Sequence, residues 1–103
     1  MVMKKIGTIP VEFKDTSEIF VALGDEQRQR ILLSFEPGER LNIGQIVSAS
    51  TLSRTAVSHH LKVLRLSGAL RSEKIGKEVY FWINKEAMAR ILQRVLDYIN
   101  SRT

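Results

Sequence analysis

Residues 51–68, TLSRTAVSHHLKVLRLSG, restrict the fold of this chain more than any other segment. The hydroxyl of Ser53 can cap a helix that continues to Gly68, and glycine commonly ends helices. Apolar residues recur between them at the i, i+4 and i+7 spacing of one helix face. These residues are Val57, Leu61 and Leu64. The segment therefore predicts an amphipathic helix over residues 53–67, with one face against a core and the other toward solvent.

A second, shorter helix is predicted immediately before this one. The side chain of Asn42 can accept a hydrogen bond from the backbone amide of Gln45, whose own side chain can reach back, as in a capping box. The helix ends near Ala49, and residues 50–52 form a tight turn. A short helix, a tight turn and a second capped helix are typical of a helix-turn-helix unit.

Two further helices are expected in the first third of the chain. Residues 15–18, DTSE, offer capping oxygens ahead of an apolar run, and Gly24 ends that helix. Asp25 can cap the next helix, which stops at the Pro37-Gly38 pair. Residues 1–14 have no clear period and form either an ordered arm or a frayed tail.

The pattern changes from helical to strand-like after Gly68. Residues 70–75 and 78–83 have strand-like composition, and the Gly76-Lys77 pair between them supplies the turn of a hairpin. Asn84 then caps a final helix, which extends to residue 101.

The predicted fold is mainly α with a small β-hairpin, in the order α-α-α-α-β-β-α, as one domain over residues 1–103. A hairpin directly after a helix-turn-helix is the layout of a winged helix-turn-helix. Within its second strand, alternation predicts that Phe81 is buried while Tyr80 and Trp82 share the other face. Core or dimer packing is favoured for this aromatic cluster over base stacking.

Positive charge is concentrated in one part of the chain. The net charge is +5 at pH 7, and residues 51–77 hold six basic residues against one acid, Glu73. The basic residues are Arg54, Lys62, Arg65, Arg71, Lys74 and Lys77. Such a concentration suits a polyanionic partner, although a charge run by itself also occurs on ordinary solvated faces.

Composition excludes several classes of function. The chain has no cysteine, which rules out disulfides, thiol redox chemistry, cysteine nucleophiles and cysteine-ligated metals. No Ser-His-acid arrangement, phosphate-cradling glycine loop or metal triad is recognisable, so we expect no enzymatic activity and no cofactor. No apolar run approaches the roughly 20 residues that span a bilayer, and the N-terminus does not resemble a signal peptide. We expect a cytoplasmic protein with no membrane partner.

The predicted helix over residues 53–67 has the side chains to read double-stranded DNA. In a helix-turn-helix, the second helix lies in the major groove and presents its N-terminal residues to base edges. Arg54 could donate a bidentate pair to guanine, and lysines at the hairpin tip could reach the DNA backbone or the minor groove. The candidate DNA contacts are Ser53, Arg54, Thr55, Ser58, His59, Lys62, Lys74 and Lys77.

The two histidines are expected to play different roles. His59 lies toward the DNA face, where the alternative is a surface histidine without function. His60 lies nearer the apolar side, next to Leu61, where packing or a structural hydrogen bond is expected.

The stretch TLSRTAVSHHLKVLRLSGAL, followed by a basic hairpin that ends in VYFWI, resembles the ArsR family of bacterial winged-helix repressors. The preceding FVALGDEQRQRILLSF is similar to that family's second helix, and the resemblance extends over residues 16–100. Its distinctive part is the V-S-x-H-L-x-x-L motif, here Val57, Ser58, His60, Leu61 and Leu64. The resemblance implies a homodimer, paired through its first and last helices, that binds inverted-repeat operators. It also implies repression that an inducer relieves, and the inducer is unknown.

An apolar stripe on the final helix agrees with such a dimer. Together with two residues of the first helix, the predicted interface consists of Ile19, Phe20, Met88, Ile91, Leu92, Val95 and Ile99. The alternative is that the stripe belongs to the core of one chain. A dimer is favoured because the other helices have apolar faces of their own to bury.

The sequence departs from metal-sensing members of the family at both of their metal sites. One site uses a Cys-x-Cys pair at the start of the third helix, where this chain has Asn42 and Gly44. The other uses carboxylates and imidazoles of the last helices. The approximately matching positions contain no histidine: they are Asn84, Glu86, Asp97 and Asn100. Zinc favours nitrogen or sulfur ligands, so no metal is expected at either site.

A competing hypothesis is a winged-helix module that contacts proteins, or an anti-repressor that displaces another DNA-binding protein. A domain adapted for protein contact need not keep a polar reading helix with basic residues on both reading elements. The basic residues between Arg54 and Lys77 therefore favour DNA binding.

Overall fold

The structure is a computed structural model that describes residues 7–102. After a 3-10 turn at Val11–Phe13 it contains the helices α1 (Lys14–Leu23), α2 (Glu26–Leu33), α3 (Ile43–Ser48), α4 (Arg54–Ser67) and α5 (Lys85–Arg102). Its strands are β1 (Leu41–Asn42), β2 (Leu70–Ile75) and β3 (Glu78–Ile83). The predicted order of helices and hairpin is confirmed, and the fold is a winged helix-turn-helix. Residues 1–6 of the predicted arm lie outside the described residues.

The sheet has three strands, whereas the sequence predicted a two-stranded hairpin. The strand order is β1-β3-β2, and both neighbouring pairs are antiparallel. The added strand, β1, has only two residues, which pair with Phe81 and Tyr80 of β3. Two residues are too few to show an alternating pattern, so this strand leaves no signal in the sequence. Its pairing ties the start of α3 to the wing.

Helix α4 lies at the centre of the core. Its three apolar residues at helical spacing, Val57, Leu61 and Leu64, are fully buried, as the sequence predicted. They bring α4 into contact with α1, α2, α3 and β2. Because burial of each aliphatic side chain contributes about 1.5–3 kcal/mol, this face stays inward and the polar face points to solvent.

The predicted caps fix the ends of the helix-turn-helix. The amide of Ala56 donates to Ser53 Oγ at 3.1 Å, and Asn42 and Gln45 form a reciprocal capping box with two bonds of 2.9 Å. Gly68 ends α4 with φ at +91°, a left-handed conformation that other residues rarely adopt. Both ends of α4 are therefore determined by local chemistry.

The first helix begins earlier than the sequence predicted. Helix α1 starts at Lys14, so Asp15 lies within its first turn and does not cap it. Residues 11–13, expected in an arm or tail, form the 3-10 turn that leads into the helix. A long-range contact explains the difference. Arg94 of α5 donates to both carboxylate oxygens of Asp15, at 3.1 and 3.2 Å, and to the backbone carbonyl of Glu12.

Two residues predicted for a dimer interface belong instead to the core of the single chain. Ile19 is 0% exposed and Ile91 is 2% exposed. They lie on α1 and α5, which contact each other. The apolar stripe of α5 is wide enough for one edge to be covered by α1 while the rest stays at the surface.

Acid is expected to weaken the contact between α1 and α5. Partial desolvation raises the pKa of Asp15, but the Thr16 amide and the nearby Arg94 guanidinium lower it more, to below the ordinary value of 3.8. A carboxyl whose pKa is lowered in the folded state stabilises the fold at pH values above its pKa in the unfolded state. This stabilisation is lost as the pH falls through the pKa of the folded state. We therefore expect Asp15→Asn to lower Tm at pH 7 and to leave Tm nearly unchanged at pH 2.

Asp97→Asn is the matched control, because Asp97 is an exposed carboxylate that accepts from Gln93 on its own helix and forms no ion pair among residues 7–102. Thermal unfolding of the three proteins between pH 2 and 7 measures the effect. Equal Tm values for wild type and Asp15→Asn across this range would exclude a stabilising role for the ion pair.

Candidate nucleic-acid interface

The polar face of α4 is fully at the surface. Arg54 begins the helix, and its side chain is exposed together with those of Thr55, Ser58, His59 and Lys62. Thr55, Ser58, His59 and Lys62 lie on the sides of the helix away from the buried apolar stripe. Arg54 is seven residues before Leu61, in line with the stripe, and is exposed because it begins the helix. These five exposed side chains are called the reading face below.

Ser53 differs from the other candidates on this helix. Its hydroxyl already accepts from the amide of Ala56 and holds the first turn of α4. The structure therefore gives Ser53 a capping role at the edge of the reading face.

The two wing lysines lie at the exposed tip of the β2–β3 hairpin. Lys74 is in the last part of β2, and Lys77 is in the turn, next to Gly76 with φ at +64°. Both side chains point away from the core and are exposed. The wing therefore carries cations at the end farthest from its attachment to the domain.

A polar groove separates the helix-turn-helix from the wing. Arg54 of α4 lines it, with Glu78 at the start of β3 on the wing. The first half of the helix-turn-helix contributes Asn42, Gly44, Gln45 and Ser48. Gln45, Ser48 and Glu78 were not identified from the sequence as candidate interface residues. Their proximity to Arg54 depends on how α3 and the wing are placed, and no local pattern reports that placement.

The cations of the reading face have no carboxylate partner. Within residues 7–102, the ion pairs are Arg28–Asp25, Arg30–Glu26, Arg40–Glu73 and Arg94–Asp15. None of these pairs includes a candidate DNA contact. Glu73, the acid within the basic segment, is held by Arg40 at 3.5 Å. Arg54, Lys62, Lys74 and Lys77 therefore form no ion pair among residues 7–102, and the acid Glu78 lines the same groove as Arg54.

Two arginine side chains lie near the ring of Trp82. The guanidinium carbon of Arg40 lies 3.9 Å from the centre of its ring, and that of Arg71 lies 5.9 Å away. Phe81 is buried, whereas Tyr80 and Trp82 are half-buried, as alternation predicted. These contacts favour a packing role for the aromatic cluster over base stacking.

The chain is similar to regulators of one family. Residues 25–72 match the profile of a family described as "Bacterial regulatory protein, arsR family". The transcriptional repressor SdpR of Bacillus subtilis is 25% identical over 84 residues, which cover 82% of this chain and 92% of SdpR. A cadmium resistance regulatory protein, the CadC homologue of Staphylococcus aureus, is 32% identical over 84 residues. That match covers 78% of this chain and 66% of the homologue.

The fold agrees with this similarity. An ArsR-like transcriptional regulator from Rhodococcus sp. RHA1 superposes with a TM-score of 0.77 at 24% identity, covering 88% of this chain and 84% of that one. The chain belongs to the ArsR family. It is accordingly a transcriptional regulator of the winged helix-turn-helix type and not an enzyme.

The two histidines of this ArsR-family chain occupy different environments. His59 is exposed on the reading face, and His60 is half-buried beside the core. His60 Nδ1 lies 3.4 Å from Nη1 of Arg28, which agrees with the second of the two expected roles, packing or a structural hydrogen bond. The sequence did not identify the partner, because Arg28 is 32 residues away along the chain.

Asn42 and Asp97, which approximately match positions of the family's two metal sites, make other hydrogen bonds in this structure. No group of three or more His, Cys, Asp or Glu residues in the part of this chain that the structure describes is arranged to hold a metal ion. At the first site, the side chain of Asn42 is committed to the capping box of α3. At the second, Asp97 accepts a hydrogen bond from Gln93.

Helices α1 and α5 expose apolar side chains beside their mutual contact. Of the remaining predicted interface residues, Phe20, Leu92 and Ile99 are about half exposed, and Met88 and Val95 are half-buried. Leu96, exposed to 49%, extends this surface and was missed from the sequence. No helix of residues 7–102 is long and apolar enough to cross a membrane.

Proposed function

We propose that this ArsR-family chain is a homodimeric repressor that binds an inverted-repeat operator in double-stranded DNA through the helix 53–67 and the wing 70–83. The observation that carries the proposal is the presence, on both reading elements, of exposed cations that have no carboxylate partner among the described residues. They are Arg54, Lys62, Lys74 and Lys77. DNA phosphates would supply the missing counter-charge and release condensed cations on binding.

In the proposed complex, α4 lies in the major groove with its N-terminal half against the bases. Arg54 can donate two hydrogen bonds to the O6 and N7 atoms of guanine. The hydroxyls of Thr55 and Ser58 can bond bases or phosphates, and His59 and Lys62 lie farther along the same face. Helix α3 crosses the phosphate backbone and braces α4, and the lysines of the wing reach the backbone or the minor groove.

Two copies are needed for an inverted repeat. Each copy would contribute the exposed apolar side chains of α1 and α5 to a two-fold interface, in which the same surface of both subunits meets. The two α4 helices would then enter successive major grooves, about 34–36 Å apart. The proposed half-sites are therefore separated by about one turn of DNA.

Selection from a random pool of duplexes tests the proposal without knowledge of the operator. We expect the protein to enrich one inverted repeat with half-site centres about 10–10.5 base pairs apart. Enrichment of a single, asymmetric half-site would contradict the dimeric mode of binding. Absence of any enrichment at low salt would contradict sequence-specific binding altogether.

The variant Leu92→Glu/Leu96→Glu is expected to be monomeric and to bind the selected duplex at least 100-fold more weakly. These side chains are 45% and 49% exposed in the single chain, and burial of unpaired carboxylates in an apolar interface costs several kcal/mol. Analytical ultracentrifugation measures the mass, and Leu33→Glu, at a position that is 85% exposed on α2, is the control. A double variant that sediments as the wild type does would place the interface elsewhere.

We further propose that the regulator does not respond to metal through the two known sites of the family. Addition of Zn²⁺ or Cd²⁺ at micromolar concentrations is expected to leave the affinity for the selected duplex unchanged, because the sequence offers neither thiolates nor a histidine at those positions. Fluorescence anisotropy with and without the metal, and with EDTA, measures this. Release of the DNA by either ion would contradict the proposal.

A second candidate function is a protein-interaction module or an anti-repressor. The contacts of the wing residue Trp82 with two arginines favour it, since tryptophan and arginine are enriched at interface hot spots. Retention on heparin followed by duplex binding separates the two. A protein-contact module would elute early and would bind no selected duplex.

A further inference from the structure

The guanidinium of Arg28 connects three helices. It belongs to α2, and its side chain is only 13% exposed. Its Nε donates to the carbonyl of Ala22 at 2.7 Å, and Nη2 donates to the carbonyl of Val21 at 3.2 Å. Both carbonyls belong to the last turn of α1, where a cation is favoured, and that of Val21 also accepts from the amide of Gly24 at 3.2 Å.

The third nitrogen of Arg28 faces the reading helix. Nη1 lies 3.4 Å from His60 Nδ1 on α4 and 4.0 Å from Asp25 Oδ2. A guanidinium can only donate, so a hydrogen bond between the two groups requires Nδ1 of His60 to accept and the ring proton to be on Nε2. His60 is next to His59, which is exposed on the reading face. One planar group therefore holds the end of α1 and the middle of α4 together.

We infer that Arg28 is a positioning residue for DNA reading, which acts through His60 to fix the rotation of α4 about its own axis. The inference rests on the proposed function of α4. The buried apolar stripe determines which side of α4 faces the core, but it fixes the exact angle of rotation only loosely, because hydrophobic contact is non-directional. A hydrogen bond is directional, and the fork of an arginine has a rigid geometry. Arg28 thereby sets the exact angle at which the exposed side chains of α4 meet the bases.

The guanidinium of Arg28 also connects α4 to the end of α1 that is next to the proposed dimer surface. Val21 and Ala22, whose carbonyls Arg28 holds, follow Phe20, one of the exposed residues proposed for the interface. Arg28 therefore lies between the proposed interface and the reading helix.

Two substitutions of His60 distinguish this role from simple packing. Asn has an oxygen that can replace Nδ1 as an acceptor, whereas Leu fills the space but accepts nothing. We expect His60→Leu to weaken binding to the selected duplex about tenfold and His60→Asn to stay within about twofold of wild type. Binding to a scrambled duplex of equal length should be unchanged in both, since the phosphate-facing cations remain. If Leu is tolerated and Asn is not, His60 only fills space and the inference is wrong.

Substitution of Arg28 tests the other half of the pair. Arg28→Lys keeps the charge but cannot donate to three acceptors in a plane, and we expect the same tenfold loss on the selected duplex. Arg30→Gln is the control, because Arg30 is an exposed neighbour on α2 that pairs only with Glu26. In the double variant Arg28→Lys/His60→Leu, the two losses of affinity should not add, since both substitutions remove the same interaction. Additive losses would overturn the inference.

A spectroscopic measurement keeps the inference testable without DNA. The chain has two histidines, so His59→Ala leaves His60 as the sole imidazole. Long-range ¹H–¹⁵N spectra at a pH where the ring is neutral should show a protonated Nε2 and an unprotonated Nδ1, and Arg28→Lys should change the Nδ1 shift. A proton on Nδ1 would overturn the inference. If no duplex is ever selected, the proposed function fails, while this spectrum still decides whether Arg28 holds His60.

Discussion

The variant Arg54→Ala/Lys62→Ala is expected to bind the selected duplex roughly 30- to 1,000-fold more weakly than wild type, a loss of about 2–4 kcal/mol. Arg54 is the first residue of α4 and has no ion pair among the described residues, so its donors are available for a base edge. A bidentate arginine–guanine pair contributes about 1–3 kcal/mol of discrimination, and removal of a phosphate contact by Lys62 adds to the loss.

Two measurements separate the contributions of these side chains. Titration of the duplex at several salt concentrations should show a less steep salt dependence for the variant, by about one unit for each lost phosphate contact. The control variant Lys14→Ala/Lys85→Ala removes the same charge from exposed positions of α1 and α5, outside the helix-turn-helix and the wing. If both variants lose affinity equally, only net charge matters and the reading face is misassigned.

Leu64→Ala is expected to destabilise the fold by about 2–5 kcal/mol, the largest effect of any single substitution considered. Leu64 is fully buried in the middle of the core, so its truncation removes apolar contacts and leaves a cavity that α1, α3 and β2 can close only partly. Because net stabilities are commonly about 5–15 kcal/mol, a loss of this size can leave much of the protein unfolded.

Urea unfolding followed by circular dichroism measures the change in the free energy of unfolding. Leu33→Ala makes the same chemical change at an exposed position and is expected to cost no more than about 0.5 kcal/mol. A small effect of Leu64→Ala, equal to that of Leu33→Ala, would show that α4 is not held by its apolar face. The fixed orientation of the reading helix would then have no physical basis.

The helix-turn-helix and the wing could be predicted because their signals are local. Ser53, Asn42 and Gly68 act on backbone groups within a few residues, and the apolar stripe of α4 repeats at a fixed spacing. The exposed candidates on α4 followed directly, since all of them except Arg54, which begins the helix, lie away from that stripe. The two long strands were predicted with their observed bounds for the same reason.

The features that were missed depend on contacts between distant residues. The start of α1 is set by Arg94, which is 79 residues away from Asp15. An apolar stripe shows that a face is buried but not by what, so Ile19 and Ile91 were assigned to a dimer surface although the chain itself covers them. The pairing of Arg28 with His60 is of the same kind: each residue is ordinary in its own helix, and only the packing of α2 against α4 brings them together.

The affinity of the wild-type protein for the selected duplex and for a scrambled duplex, measured over a range of salt concentrations, tests the central claim most directly. If α4 and the wing read DNA, the selected duplex binds at least about 1,000-fold more tightly at physiological salt, and both affinities fall steeply as salt rises. Equal affinities for the two duplexes, or an affinity that does not respond to salt, would contradict the assignment of this face to DNA.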